Sequence, residues 1–490
     1  MCTVQPLGIL HYMCVSFSTF AKKCQDMNFR TFEKSVYISR RAVLKKAVGS
    51  GIIVFMGNDE SPMNYHDNTY HFRQDSTFLY YFGLDVAGLA AVIDTEGGDE
   101  IIFGNELTID DIVWTGPLPS VRDMAQHVGV AQTQTSSRVE AVIKKALAGR
   151  AVHYTPQYRT DNAVKLSTWL GIRVRQLATR ASVPLIKAIV NQRSYKEARE
   201  IVEIDNAVLT TTKMHLAAMQ HAKAGMKEYE VVAKVHEAAL ADGGNLSFPI
   251  ILTVNGETLH NHYHGNTIRD GQMILCDAGA ENDMHYAGDL TCTFPVGKKF
   301  TLRQKEIYEI VLKTHETAVS LLKPHVLYRD VYLKACETLV EGLKSVNLMK
   351  GNAAEAVAAG AHALFFQCGL GHMLGMDVHD MENLGQQYVG YTETMQRSTQ
   401  FGMKSLRLGR ALETGFVLTV EPGVYIIPTL IDLWKAEKKC ADFINYEVLE
   451  TYRDFSGIRI EEDFVITETG SRLLGAALPK TIAEIEAIRG

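Results

Sequence analysis

The sequence predicts an α/β (α+β) protein built as two folded domains, a smaller one followed by a larger one. Its 490 residues exceed what a single hydrophobic core usually organises. Up to about Val183, short β-prone runs alternate with helical stretches. From Ser194 the pattern changes: two helices lead into strands, then two more helices lead into further strands. This approximate duplication of elements has no counterpart in residue identity, and there is no short-period repeat. The chain divides accordingly into residues 1–26, 27–185 and 186–490.

Residues 1–26 carry a moderately apolar run, Leu7 to Ala21, followed by Lys22 and Lys23. A secretory signal places its positive charge before the apolar run, so this segment reads as an upstream extension instead. In 27–185, Ser39–Val48 is a short helix and Gly51–Gly57 a buried strand. Ala87–Ile93 and Glu100–Phe103 flank Glu96-Gly97-Gly98-Asp99 and predict a hairpin. In Phe72–Gly83 the aromatic Phe78, Tyr80 and Tyr81 read as core, since aromatic side chains mostly pack. A linker is expected near Arg180–Arg193.

Ser194 and Glu197 have the spacing of a capping box ahead of a helix over Ala198–Met219. Glu228–Ala241 is a second helix, with Val231, Val232, Val235, Ala238 and Ala239 on one face. Thr301 and Gln304 cap a third that runs to Leu322, and Asp330–Leu343 is a fourth.

Composition is that of an ordinary globular protein, 46% hydrophobic and 22% charged. A net charge of −6 with no Lys/Arg block argues against nucleic acid as a partner. No apolar run reaches the ~18 residues of a membrane span. Cysteines at 2, 14, 24, 276, 292, 336, 368 and 440 have neither zinc-site spacing nor disulfide-scaffold density, which fits a reducing, cytoplasmic setting.

The chemistry concentrates in Gln272–Pro295. Two β-prone segments, joined by a polar loop, carry one aspartate each, Asp277 and Asp289. Buried carboxylates are costly unless paired or bound to a cation, and two of them in one hairpin cannot neutralise each other. A hard divalent ion is the simplest partner. Further on come His372 and His379 in Gly369–Asp380, Glu421 ahead of a Pro-Gly turn, and Glu461 in the alternating run Gly457–Phe464. Alternation puts Arg459, Glu461 and Asp463 on one side of that run. Asp277, Asp289, His372, Glu421 and Glu461 together suit a pair of divalent ions with shared carboxylates. His260, His262 and His264 would share one face if their segment were a strand.

The ordered set LHNHYHGN, CDAGAE…YAGDLTCTFP, CGLGHMLGMDVHD, TVEPGVY and GIRIEEDF resembles the pita-bread metallopeptidases, specifically the Xaa-Pro aminopeptidase (aminopeptidase P) and prolidase branch. It covers most of Ser194–Gly490, and Phe72–Gly83 resembles the N-terminal domain of the same enzymes. The resemblance implies a C-terminal domain with a curved antiparallel sheet and outer helices, metals on the sheet's inner face, and a smaller α/β domain ahead of it. It implies two divalent ions, manganese first with cobalt or zinc as alternatives, held by Asp277, Asp289, His372, Glu421 and Glu461. Asp289 and Glu461 would bridge. Glu421 would move the proton, and His260 and His379 would assist catalysis. Substrate would be bound by His260, Cys368, His379 and Arg459. For Arg459, a salt bridge to a ligand carboxylate is the competing reading. The expected substrates are peptides with proline second, and a homodimer is expected. A prolidase restricted to Xaa-Pro dipeptides is the alternative activity. A metal-free binding protein or a creatinase-like enzyme is disfavoured, because all five ligands are present.

The chain departs from the family pattern in three places. Cys368 stands where relatives commonly carry histidine, four residues before the ligand histidine. The Asp277–Asp289 spacing is one residue longer than in many relatives. Met381–Leu412 is a long segment, with Tyr388, Tyr391, Arg397 and Arg407 available to the rim of the site.

Overall fold

The computed structural model describes residues 29–490, so the extension read at 1–26 lies outside it. The chain divides into two compact units between Gln192 and Arg193. The break falls inside a helix, Val183–Ser194, where a linker was expected. Ser194 therefore ends one helix and does not cap the next. The helix Ala198–His221 is capped by Glu197 and Glu200, each side chain engaging the other's backbone N–H.

In the first unit a five-stranded mixed sheet forms the centre. Ile52–Met56 pairs antiparallel with Ala90–Asp94, which pairs antiparallel with Glu100–Phe103 across the expected hairpin. Val152–His153 and Gln132–Gln134 add parallel edges. Phe78, Tyr80 and Tyr81 lie on the helix Ser76–Phe82, every residue of which is buried. Asp75 caps that helix by accepting from Phe78 N, an interaction typically worth about 1 kcal/mol. Phe55 packs on Tyr81 and Phe82 with ring centroids 5.3 Å apart, so these aromatics are core, as read.

The second unit shows the repeated order of elements. Helices Ala198–His221 and Glu228–Ala241 precede the antiparallel set Ile251–Thr253, Met273–Ala278 and Leu290–Pro295. Helices Leu302–Ser320 and Tyr328–Ser345 precede a second antiparallel set, Val417–Val420, Glu462–Ile466 and Ser471–Leu473. Thr301 and Gln304 form the expected capping box. The isolated bridge Thr291↔Glu461 joins the two halves, Met373↔Leu418 lies within the second, and both bridges sit beside residues of the site.

Candidate active site

The strand Met273–Ala278 is buried on both faces, which explains its continuous apolar run and delivers Asp277 into the interior. The hairpin then turns through Gly279, where any Cβ would collide with the carbonyl of Gly288. Asp289 sits immediately before the strand Leu290–Pro295, and its backbone N–H donates to Asp463 Oδ2 at 2.9 Å. Glu461 is placed by its bridge to Thr291, whose hydroxyl donates to Glu461 Oε2 at 2.8 Å. The alternating run is interrupted here: the observed strands are Gly457–Arg459 and Glu462–Ile466, with Glu461 between them.

His372 lies beside the Met373↔Leu418 bridge and not within a strand. Gly371 ahead of it has no room for a side chain, because a Cβ would meet the Thr419 carbonyl. His372 Nδ1 donates to Met373 O at 3.1 Å, and Nε2 lies 3.3 Å from Asp289 Oδ2. Glu421 follows the strand Val417–Val420 and is fixed through its N–H to Leu370 O at 2.7 Å.

Asp289, His372 and Glu461 bring one ligating atom each to within 4.8 Å of one another, and all three are buried. Asp277 and Glu421 line the same cavity of about 370 Å3. Asp289 Oδ1 has no hydrogen-bond partner. Burial, reinforced by neighbouring carboxylates, drives the Asp289 and Glu461 carboxyls well above their ordinary range. Burial also pushes Glu421 up to about 7, against the pull of His372 and Arg459. A crowded set of buried carboxylates with one imidazole and an orphaned oxygen is the donor set of a hard divalent metal, so the residues fit the ions that the sequence implies.

The other expected residues separate. His260, His379 and Cys368 line the cavity. The His379 ring lies 4.2 Å from that of His372, and burial, then His372 and Arg407, lowers its basicity. His260 is lowered too, by burial and then Arg459. The Cys368 thiol, pushed up to about 12 by burial, is 3.7 Å from the Tyr425 hydroxyl.

Arg459 is not in the cavity wall. Its Nη2 donates to Asp277 Oδ2 at 2.5 Å, Nη1 to Tyr425 OH at 2.8 Å and Nε to Thr291 Oγ1 at 3.2 Å. All three nitrogens are engaged by protein, so the salt-bridge reading holds and Arg459 acts behind Asp277. The His260–His264 segment is a loop, which corrects the shared-face reading. His264 and Asn266 carbonyls accept from Tyr229 and Glu228 at the start of a helix, so the segment lies against that helix and does not pair in a sheet. His262 still lines the cavity, while His264 Nε2 is 3.1 Å from Ile250 O.

Sequence reasoning missed the apolar wall of Phe248, Pro249, Ile251, Leu259 and Val378, because nothing local distinguishes an apolar cavity residue from core. It also missed Glu382, which holds Arg407 on the wall at 2.5 Å.

Residues 202–468 match the metallopeptidase family M24 model, and residues 37–154 match that of the aminopeptidase P N-terminal domain. The Xaa-Pro dipeptidase of Rattus norvegicus is 34% identical over 448 residues, covering 89% of this chain and 88% of that protein. The Xaa-Pro aminopeptidase of Escherichia coli K12 is 33% identical over 436 residues, covering 86% of this chain and 90% of that protein. Zinc-substituted E. coli aminopeptidase P, solved in complex with product, superposes with a TM-score of 0.78 at 29% identity, covering 94% of this chain and 99% of that one. The fold is thus the pita-bread fold of aminopeptidase P with its N-terminal domain ahead of it, and the chain belongs to metallopeptidase family M24.

Proposed function

We propose that this protein is a proline-specific metallo-exopeptidase that hydrolyses the Xaa-Pro bond at the N-terminus of peptides. The observation that carries this reading is the convergence of Asp277, Asp289, His372, Glu421 and Glu461 on one cavity, with His260 and His379 on its wall. Relatives of both Xaa-Pro names align over most of the chain. The five donors would hold two divalent ions, manganese in our reading, with zinc or cobalt as alternatives. Bound there, such ions supply Lewis acidity and make water nucleophilic at neutral pH.

The chain's own groups do the rest. Glu421, on the wall of the cavity, can take a proton from water and return it to the leaving nitrogen. Return matters because the proline nitrogen has no proton of its own while it is part of the peptide bond. His260 and His379, held below the ordinary imidazole value, donate N–H to the carbonyl oxygen as neutral groups. Arg459 keeps Asp277 in place. Phe248, Pro249 and Ile251 offer an apolar surface to a pyrrolidine ring and limit water. A cytoplasmic setting and a homodimer belong to the same reading, from the cysteine spacing and the family resemblance.

One observation favours the dipeptidase alternative. Arg407 lines the cavity, and a guanidinium there suits a free C-terminal carboxylate. The test uses chelated protein, before and after manganese reloading, on Ala-Pro, Ala-Pro-Leu and Ala-Ala-Leu. Cleavage of the proline peptides only after reloading is expected. Activity without metal, or equal cleavage of Ala-Ala-Leu, overturns the reading. The ratio of Ala-Pro to Ala-Pro-Leu turnover decides between dipeptidase and aminopeptidase.

A further inference from the structure

The turn after His379 is firmly held. Asp380 is buried, and its carboxylate accepts from Arg193 Nη2 at 2.7 Å and Lys196 Nζ at 2.8 Å, both buried as well. Met381, also buried, adopts φ of 62°, a left-handed conformation uncommon for methionine. The short turn Glu382–Leu384 follows and ends at Gly385 with φ of 114°. A backbone pinned at both ends fixes where Glu382 can reach.

Glu382 Oε2 accepts from Arg407 Nη1 at 2.5 Å and from Gln386 Nε2 at 3.1 Å, and lies 3.7 Å from His379 Nδ1. His379 and Arg407 line the cavity, whereas Glu382 does not. A single carboxylate oxygen outside the cavity therefore meets two polar groups of its wall. Engaging one Nη of a guanidinium leaves its other N–H groups to meet a second anion. The same negative charge repels that anion, so orientation and screening come from one group.

We infer that Glu382 is a specificity-determining positioning residue, which aims Arg407 and screens its charge and so sets how strongly the cavity prefers a free C-terminal carboxylate over a neutral C-terminus. This rests on the reading that the cavity receives Xaa-Pro peptides.

Calorimetry on the metal-free, full-length protein keeps hydrolysis out of the measurement. Ala-Pro and Ala-Pro amide are titrated into the wild type and into Glu382→Gln, Glu382→Asp and Arg407→Gln. The wild type should bind the acid more tightly than the amide, and Arg407→Gln should erase that difference. Glu382→Gln keeps the acceptor oxygen and drops the charge. It should raise the acid-over-amide ratio by roughly fivefold with amide affinity unchanged. Glu382→Asp, which keeps the charge but shortens the side chain, should leave the ratio below that of Glu382→Gln. An unchanged ratio in Glu382→Gln, a parallel loss of both ligands, or no measurable Ala-Pro binding to the wild type would each overturn the inference. If the metal-loaded wild type cleaves no Xaa-Pro bond while the ratio shifts as stated, the proposed activity falls and the role of Glu382 stands.

Discussion

The cavity has two kinds of charged wall, and they are stabilised in opposite ways. Around Asp289, His372 and Glu461, carboxylates crowd together in the interior. The buried cation beside them, Arg459, is committed to Asp277. Around His379 and Arg407 the protein supplies its own counter-charge, Glu382, at 2.5 Å from the guanidinium. The first wall avoids unmatched charge by holding protons, as the raised Asp289 and Glu461 carboxyls show, since a buried and unmatched charge costs several kcal/mol. The second wall is complete as folded. The crowded carboxylates are thus left short of positive charge, whereas Arg407 already has its counter-charge.

The largest effect should come from removing a charge from the unsatisfied wall. Asp289→Asn should lower metal affinity by more than about a hundredfold, since changes even outside the ligand set cost about 10–100-fold. Turnover should collapse with it, while circular dichroism stays that of the wild type. Elemental analysis showing normal metal content in the variant would remove Asp289 from the ligand set.

A smaller effect should appear in stability against pH. The metal-free folded protein holds a proton on Glu421 up to about 7, whereas the unfolded chain releases it near 4.5. Between those values the native state binds more protons, so stability is full below about 4.5 and falls as pH rises to about 7. Asp289 and Glu461 shift in the same direction. The melting temperature of metal-free protein should therefore drop by several degrees across that window, and metal loading should flatten the slope. A flat profile without metal would mean that these carboxylates are already matched within the protein.

The smallest effect belongs to Cys368, which touches the cavity but lies outside the ligand set. Its neutral thiol offers a weak donor. Cys368→His should leave metal content unchanged and alter turnover or KM by about fivefold, the size of one hydrogen bond at ~1 kcal/mol. Labelling the thiol with a small reagent in the wild type should be slowed by bound Ala-Pro. A change in metal content would move Cys368 into the first wall.

Much of the fold was legible because its signals are local. The Thr301–Gln304 cap, the hairpin around Glu96–Asp99 and the helix Glu228–Ala241 each rest on a few neighbouring residues, and each is found as read. The capping signal at Ser194 misled because Ser194 already closes a helix, while Glu197 and Glu200 make the cap. His260–His264 misled because period-two alternation resembles a strand, yet this segment's backbone is bound by the helix start at Glu228.

The sequence by itself determined which side chains are available for chemistry. Asp277, Asp289, His372, Glu421 and Glu461 each sit in a short stretch whose small, apolar or turn-forming neighbours mark a buried, tightly turned backbone. Only the tertiary structure decided what those side chains meet. Thr291 and Glu461 are distant in the chain and become neighbours through one bridge. Arg459 turns to Asp277 and away from the cavity because Asp277, Thr291 and Tyr425 occupy its nitrogens. Glu382 matters because Arg407 comes back to it across a long loop. Local periodicity and turn chemistry reach only a few residues, whereas charge matching is settled by whatever long-range packing brings within hydrogen-bond distance.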